Sequence, residues 1–236
     1  MEKAIFYWSG GKDSALALYE LTRSKDYEVV SLLTTVTTDY DRISMHGVRR
    51  VLLEQQARSL GIPLREVPIS KNCSNEEYES RMESVLREFK KEGVSSVVFG
   101  DIFLEDLKHY RENNLAKLGM KGLFPIWRRN TAELSRSLTV LGFRAITTCV
   151  DTRKLDRGFA GRIIDEKFLA ELPQDIDPCG ENGEYHSFVF DGPIFMNSVS
   201  FTLGEKVLRD DFFYFCDLLP KGDGLKERQR EPSLLL

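Results

Sequence analysis

One short stretch near the start of the chain, Ser9 to Ser14, constrains the fold more than any other. It reads Ser-Gly-Gly-Lys-Asp-Ser and lies between an apolar run at 4–8 and a segment at 15–21 with apolar residues at helical spacing. Gly10 and Gly11 allow backbone conformations that other residues disfavour, and the first N–H groups of a helix have no partner within the helix. The stretch therefore predicts a strand-to-helix turn that binds an anion such as phosphate.

The side chains of this turn suit phosphate, although its spacing excludes two common phosphate loops. Lys12 adds a positive charge, and Ser9 and Ser14 add hydroxyl donors. A Walker loop needs a glycine where Phe6 stands, and the Gly-x-Gly-x-x-Gly dinucleotide fingerprint is absent. A plain turn with Asp13 or Ser14 as helix cap requires neither two glycines nor a lysine. We expect Lys12 to be an exposed loop residue that faces phosphate and contributes little to folding.

Composition limits the class of protein and the partners. The 236 residues are 42% hydrophobic and 30% charged, which is ordinary for a soluble enzyme of one or two domains. A net charge of -4 argues against a broad nucleic-acid surface. No apolar stretch approaches the roughly 18 residues of a membrane span, and the N-terminus lacks a signal-peptide pattern. We expect a cytoplasmic protein with no membrane or nucleic-acid partner, and dispersed cysteines that remain reduced.

Strand-like and helix-like segments alternate along the first half of the chain. Further strands are expected at 28–36, 64–69 and 94–99, and further helices at 47–60 and 75–91. This order predicts an α/β fold with a Rossmann-like parallel sheet, whose ligand crevice lies at the carboxyl ends of the strands. Thr34, Thr35 and Val36 end the second strand and are candidates for ligand binding at this crevice. Gly100 and Asp101 follow the fourth strand and face the same crevice.

The second half of the chain is expected to form a smaller α+β unit. A helix expected at 111–118 still belongs to the first domain. In the second, helices are expected at 131–141 and 161–172, and strands at 143–150, 185–190, 198–203 and 212–218. We therefore divide the chain into a domain at 1–125 that carries the anion-binding turn, a smaller domain at 126–220 and a flexible tail at 221–236.

A second dense polar segment occupies residues 177–187, named here the acidic segment. Within six of its residues it carries two carboxylates, Glu181 and Glu184, and one imidazole, His186, around Asn182 and Gly183. Such a glycine-containing loop is suited to binding an amine, ammonia or a metal, or to supplying a base that removes a proton. An acidic hairpin loop without a catalytic role explains the segment equally well, because its spacing matches no metal-ligand signature.

Several of these segments together resemble a known family. The Ser9–Ser14 stretch matches the PP-loop of N-type ATP pyrophosphatases letter for letter. Over about residues 3–195 the chain resembles the diphthine–ammonia ligase family in the PP-loop, Met45-His46-Gly47, Gly100-Asp101, Arg111-Glu112, the turn at 123–127 and Gly180-Glu181-Asn182-Gly183-Glu184-Tyr185. The resemblance implies an adenine nucleotide alpha hydrolase-like domain joined to a smaller C-terminal domain. It further implies a ligase that adenylates a carboxylate, releases pyrophosphate and transfers ammonia.

The acidic segment departs from the family pattern. Family ligases typically continue Gly-Glu-Gly-Gly-Glu-Tyr-Glu-Thr, whereas this chain has Asn182 for a glycine and His186-Ser187 for Glu-Thr. The variant is similar to a bacterial branch linked to cobalamin metabolism. The acceptor therefore stays open between diphthine-modified elongation factor 2 and a corrinoid, and a homodimer is a further expectation.

The resemblance assigns a role to each candidate residue. Lys12, Asp13, Asp101 and Glu184 are the catalytic candidates, and Asp13 and Asp101 are the candidates for holding Mg²⁺. The whole PP-loop, Thr34 to Val36 and Gly100 would bind ATP, while acceptor and ammonia would meet His46, Arg111, Glu181, Asn182, Gly183, Glu184 and His186. We expect the acidic segment to be separate from the nucleotide site. A tRNA sulfurtransferase and a nucleotide sensor without turnover stay open as other classes, although the dispersed cysteines and acidic balance count against the sulfurtransferase.

Overall fold

The structure is a computed structural model that describes residues 1–43 and 46–221. Its first part contains a mostly parallel sheet with helices between the strands. The strands are β1 (Glu2–Tyr7), β2 (Tyr27–Thr37), β3 (Arg42–Ile43), β4 (Leu64–Ile69), β5 (Ser96–Val98) and β6 (Lys121–Leu123). The helices are α1 (Lys12–Ser24), α2 (Arg50–Leu60), α3 (Asn75–Lys91) and α4 (Glu105–Lys117).

The strand order places the phosphate loop (Ser9–Ser14) at the centre of this sheet. β1 pairs in parallel with β2 on one side and with β5 on the other. β4 pairs in parallel with β2, and β6 pairs in parallel with β5, while β3 is antiparallel to β2. β1 thus has β2 and β4 on one side and β5 and β6 on the other. The loop after β1 lies at this switch between the two halves of the sheet, which is the usual ligand position in such folds.

Alternate residues of β1 pack into two separate apolar layers. Ala4 and Phe6 face a cluster that includes Ala15 and Leu18 of α1, and Ile5 faces a cluster with residues of α3 and α4. All three β1 residues have 0% exposed surface. Because helices cover both faces, β1 reads as a continuous apolar run without polar alternation.

The second part of the chain forms an antiparallel sheet beside α1. Its strands, in the order β8-β7-β10-β9, are β7 (Arg144–Asp151), β8 (Tyr185–Asp191), β9 (Phe201–Arg209) and β10 (Phe213–Pro220). The helices of this part are α5 (Thr131–Val140) and α6 (Glu166–Glu171). The backbone N–H of Val189 in β8 donates to the Gly10 carbonyl at 2.9 Å, which joins this sheet to the phosphate loop. The α/β architecture with a smaller C-terminal unit is confirmed. The boundary at residue 125 lies between β6 and α5 and stays a prediction.

Some local predictions were wrong, each for a physical reason. The helix expected at 161–172 forms only as α6, because Gly161 and Ile164 donate backbone hydrogen bonds to β7 and hold that stretch extended. α2 begins at Arg50 rather than at residue 47, and α4 begins at Glu105, six residues earlier than expected. β3 and β6 are too short to show strand periodicity. The predicted tail lies, apart from Lys221, outside the described residues, as does Met45.

Candidate functional site

The phosphate loop adopts the strand-to-helix turn that its glycines predict. Gly10 has φ of +79°, a conformation that L side chains rarely adopt. The Gln56 side chain, from α2, is fully buried and donates to the carbonyls of Gly10 and Val189. Its oxygen accepts from the Trp8 indole at 3.0 Å, so the nitrogen and the oxygen of the Gln56 amide together link α2 to the phosphate loop, to β8 and to Trp8.

Three hydroxyl groups satisfy N–H groups around the helix start. Ser9 Oγ accepts from the Gly11 N–H at 3.2 Å and lies 2.9 Å from Ser14 Oγ. Ser187 Oγ, from β8, accepts from the Lys12 N–H at 3.2 Å. Hydroxyl oxygens thus accept from N–H groups that are also suited to donate to phosphate oxygens. The predicted strand-to-helix turn is therefore present, with part of it completed by the second sheet.

The expectation that Lys12 is an exposed loop residue was wrong. Lys12 retains 2% of its exposure, and its ammonium group donates to the Cys179 carbonyl and, at 2.8 Å, to Asp13 Oδ2. It also lies 5.1 Å from the centre of the Tyr185 ring. Burial opposes its charge, but Asp13 and its other neighbours outweigh burial and raise the pKa of Lys12. Lys12 is therefore charged and structurally engaged, because the second sheet covers the helix start.

Gly100 and Asp101 lie against the phosphate loop, as their position after β5 predicts. A Cβ on Gly100 would lie 2.8 Å from the Ser14 backbone nitrogen, so the glycine is required for close approach. Asp101 Oδ1 accepts from the Arg111 guanidinium at 3.2 Å, and Asp101 Oδ2 lies 2.8 Å from Arg111 Nε. Arg111 therefore contacts a carboxylate of the protein, and its predicted role in substrate binding stays a prediction.

The acidic segment is tied together by its own side chains. Glu184 Oε1 accepts from the Asn182 amide at 3.0 Å and from the Asp177 N–H at 3.3 Å. Glu184 Oε2 is buried and receives no hydrogen bond. Glu181 reaches further and accepts from the Ile102 N–H, next to Asp101, at 2.8 Å. The segment thus bridges the two sheets at the phosphate loop.

Two histidines meet beside Gly11. The rings of His46 and His186 have centroids 4.7 Å apart. A Cβ on Gly11 would lie 3.3 Å from His46 Nε2 and equally close to the Ser187 carbonyl oxygen. Burial, aided by the nearby charge of Lys12, lowers the pKa of His186 to about 4, so His186 is neutral at pH 7. The expected separation between acidic segment and nucleotide site was therefore wrong, because β8 carries the segment onto the loop.

Carboxylates accumulate around the buried ammonium group. Burial, with the charges of Asp13 and Asp101 adding to it, raises the pKa of Glu181 to about 7. Burial also raises the pKa of Asp101, against the opposing effect of Arg111. Asp13 Oδ1 is buried and receives no hydrogen bond, whereas Asp101 Oδ2 is occupied by its ion pair with Arg111 Nε at 2.8 Å. No group of three His, Cys, Asp or Glu residues in 1–43 and 46–221 forms a protein-only metal site.

A large cavity lies beside His186 and Gly47, and no residue of the phosphate loop lines it. It has a volume of about 990 Å³ and lies between the ends of β2 and β4, the β9–β10 hairpin and His186. Tyr7, the last residue of β1, pairs with Leu33, so Thr34 to Val36 extend beyond β1 toward this end of the sheet. Asp217 accepts hydrogen bonds from Arg42 at 2.8 Å and Arg49 at 2.7 Å on the cavity wall. The cavity has room for a nucleotide and part of an acceptor.

Sequence reasoning missed several residues that build this site. Gln56, Cys179, Tyr185 and Ser187 all contact the phosphate loop or Lys12. Gln56 lies in an amphipathic helix, where nothing local distinguishes it from a surface glutamine. Ser187 was named only as a departure from the family pattern. That departure was the one available signal that strand β8 meets the nucleotide site.

In the described parts of the chain, no helix is long and apolar enough to cross a membrane.

Comparisons with known proteins find relatives over most of the chain. The chain is 26% identical over 222 residues to the diphthine–ammonia ligase of Bos taurus, covering 84% of this chain and 82% of the relative. The corresponding values are 26% over 223 residues for the Homo sapiens ligase (85% and 83%) and 28% over 225 residues for the Danio rerio ligase (86% and 88%).

Two family models match consecutive stretches of the sequence. The diphthamide synthase N-terminal domain matches residues 2–122, and the diphthamide synthase C-terminal domain matches residues 130–216. The first stretch contains the phosphate loop, and the second contains the acidic segment. Because the two models together span most of the sequence, the chain belongs to the diphthamide synthase family.

Proposed function

We propose that this protein is an ATP-dependent ligase that joins ammonia to a carboxylate in diphthamide synthesis. A carboxylate oxygen of the acceptor attacks the α-phosphorus of ATP, and the bond to the β-phosphate oxygen breaks to release pyrophosphate. Ammonia then attacks the acyl carbon of the adenylate. AMP leaves, one proton is lost, and an amide is formed.

The contact between the phosphate loop and the acidic segment is the observation that carries this proposal. Ser187 contacts the Lys12 N–H, and the Cys179 carbonyl contacts the Lys12 ammonium group. An enzyme that adenylates a carboxylate and then exchanges AMP for ammonia must hold ATP and acceptor at the same place. A loop that binds pyrophosphate and a carboxylate-rich segment in direct contact meet that requirement.

The residues around Lys12 suit the early step. The positive end of α1 and the charge of Lys12 stabilise negative charge that develops on the leaving pyrophosphate. To contact phosphate, the Lys12 ammonium group either gives up its hydrogen bond to the Cys179 carbonyl or reaches the phosphate from its present position. The loop hydroxyls of Ser9 and Ser14 then donate to phosphate oxygens.

Asp13 and Asp101 would hold a magnesium ion. Asp13 Oδ1 is buried and receives no hydrogen bond, and Asp101 would give up its ion pair with Arg111 to contact the ion. Mg²⁺ commonly binds to one or two carboxylates together with substrate phosphates and water, so a complete cage of protein ligands is not required. Bound there, Mg²⁺ would neutralise phosphate charge.

The groups of the acidic segment would serve ammonia and acceptor. Glu181 has a pKa near 7 and is suited to accept the proton that the attacking ammonia loses. Glu184, Asn182 and Gly183 shape the segment, and the neutral His186 would replace a charged group of the family at the acceptor. Diphthine-modified elongation factor 2 is the proposed acceptor, because the curated relatives are named for diphthine.

Transfer of labelled nitrogen tests this function. The protein is incubated with ATP, Mg²⁺, ¹⁵N-ammonium and elongation factor 2 that carries diphthine, and the modified peptide is analysed by mass spectrometry. We expect one ¹⁵N atom per modified side chain, dependent on ATP. Incorporation into a corrinoid acid but not into elongation factor 2 would contradict the proposed acceptor. The homodimer and the cytoplasmic location stay predictions, and sedimentation of the purified chain measures the former.

A further inference from the structure

A second, smaller cavity lies on the face of the first sheet that is opposite α1. It has a volume of about 140 Å³ and lies between α3 and α4, over the ends of β1 and β5. Four aromatic residues line it: Tyr7, Phe99, Tyr78 and Tyr110. No residue of the phosphate loop or acidic segment lines this cavity.

We propose that this cavity is a separate binding site for a small neutral aromatic amide, a single ring that carries a carbonyl acceptor and an N–H donor. The volume favours one ring, because an engineered apolar cavity of about 150 Å³ binds benzene. The aromatic walls favour a ring over an aliphatic chain, since ring pairs gain from edge-to-face and offset contacts.

A pair of tyrosine hydroxyls supplies the donor for a carbonyl. The hydroxyl oxygens of Tyr7 and Tyr78 lie 2.8 Å apart and share one hydrogen bond. Two hydroxyls carry two protons, and this bond uses one of them. Within the described chain, no protein acceptor receives the other proton. A ligand carbonyl that accepts it would satisfy a donor at the cavity wall.

A carboxylate supplies the acceptor for an amide N–H. Glu79 Oε1 accepts from the Tyr110 hydroxyl at 2.9 Å. An ionised carboxylate offers about four acceptor positions, so Glu79 has capacity for a ligand donor. Together, the tyrosine pair and Glu79 match the two polar groups of a primary amide.

The charges around the cavity favour a neutral ligand. Two carboxylates, Glu79 and Glu83, and two cations, Arg111 and Lys117, line it. The Arg111 guanidinium is already paired with Asp101, and it lies 4.3 Å from the centre of the Phe99 ring. Glu83 is likewise paired, with Arg87 at 2.5 Å. Glu79 and Lys117 thus leave one charge of each sign at the wall, so a neutral ligand needs no counter-charge. Tyr78 also lines the larger cavity, so the two cavities are neighbours, and all their other lining residues differ.

Benzamide and toluene distinguish amide recognition from simple filling of an apolar space. Each is titrated into the full-length protein by calorimetry and ligand-observed NMR. We expect benzamide to bind at least about tenfold more tightly than toluene, because one additional hydrogen bond of typical strength gives that ratio. Equal binding of both compounds, or no binding of benzamide at millimolar concentration, would overturn the proposal.

Two variants locate the ligand. The double variant Tyr7→Phe/Tyr78→Phe keeps both rings and removes both hydroxyls, so we expect benzamide to weaken about tenfold and toluene to be unchanged. Met82→Trp places an indole in the cavity, and we expect it to abolish binding of both compounds. Thermal unfolding confirms that each variant is folded, and if the double variant is not, Met82→Trp decides the location.

Competition with nucleotide separates this site from the proposed active site. We expect benzamide to bind in the presence of saturating ATP. Loss of all benzamide binding with ATP, or unchanged benzamide binding in Met82→Trp, would place the ligand elsewhere and contradict the proposal. None of these measurements uses turnover, so failure of the proposed ligase activity would not affect them.

Discussion

The side-chain oxygen of Ser187 accepts a hydrogen bond at 3.2 Å from the backbone N–H of Lys12, a residue 175 positions earlier in the sequence. Lys12 stands at the start of α1, where helix N–H groups lack partners within the helix. Strand β8 therefore caps the helix that begins at the phosphate loop. Any movement of the second sheet therefore changes the surroundings of the phosphate loop, and under the proposed function it would couple nucleotide binding to acceptor binding.

Lys12→Ala is expected to lower stability as well as ATP binding. The change leaves Asp13 and the Cys179 carbonyl without their cation, and removal of one partner of a buried ion pair costs about 3 kcal/mol. Urea unfolding measures this loss. Calorimetry well below the melting temperature should also show ATP affinity reduced about tenfold or more, since a charge-assisted contact is lost.

The exposed Lys167→Ala serves as the control for Lys12→Ala. Lys167 keeps 78% of its side-chain exposure and lies 3.9 Å from Glu171, so its removal should change neither unfolding nor ATP binding. If Lys12→Ala unfolds like the native protein and binds ATP equally well, the buried ammonium group has neither of the roles assigned to it.

Gly100→Ala is expected to disturb the phosphate loop directly. The new Cβ would lie 2.8 Å from the Ser14 nitrogen and 3.0 Å from the Asp13 carbonyl carbon, so backbone must move. ATP affinity should fall at least about tenfold, because hydrogen bonds at the loop depend on its position. Gly93→Ala is the matched control, since its Cβ meets nothing within 4 Å and its φ of +86° adds only backbone strain. Equal ATP affinity in the two variants would contradict close packing at Gly100.

The sheet and the phosphate loop were predictable, whereas the assembled site was not. Strand and helix periodicity and the glycine pair are local signals, and they correctly indicated β1, α1 and the turn between them. The burial of Lys12 depends on Cys179 and Tyr185, which are distant in sequence and carry no periodic signal of that contact. Gln56 is likewise visible as a buried anchor only once α2 is packed against Gly10. Long-range contacts of single polar side chains therefore account for most of what sequence reasoning missed.

His186 makes the protein sensitive to acid in a defined pH range. Its pKa is about 4 in the folded protein and near 6.5 in an unfolded chain. Between these values the unfolded chain binds a proton that the folded protein does not, so stability falls as pH decreases from about 6.5 to about 4. His186→Asn should remove this part of the pH dependence, measured by urea unfolding at several pH values. The exposed His109→Asn should retain it, and an identical slope in all three proteins would refute the assignment.

Asp217 stabilises the folded protein in its charged form, whereas His186 is buried in its neutral form. Burial opposes its charge, but hydrogen bonds from Arg42 and Arg49 outweigh burial and lower the pKa of Asp217 to about 2. The lowered pKa means that this stabilisation is present above about pH 4 and is lost as pH falls toward 2. Asp217→Asn should reduce the free energy of unfolding by about 2 kcal/mol at pH 7, and the difference should shrink below pH 4. The exposed Asp175→Asn is the control, and a pH-independent difference for Asp217→Asn would show that ionic pairing is not its cause.

The most direct test of the central claim is the identity of the ATP products. The phosphate loop lacks Walker spacing and stands beside the acidic segment, so we expect it to hold a leaving pyrophosphate rather than a transferred terminal phosphoryl group. With Mg²⁺, ammonium and diphthine-bearing elongation factor 2, chromatography should show AMP and pyrophosphate in equal amounts, matched by one amide per AMP. Without acceptor there should be little turnover, because no nucleophile is held at the α-phosphorus. ADP and orthophosphate as the main products would contradict the account.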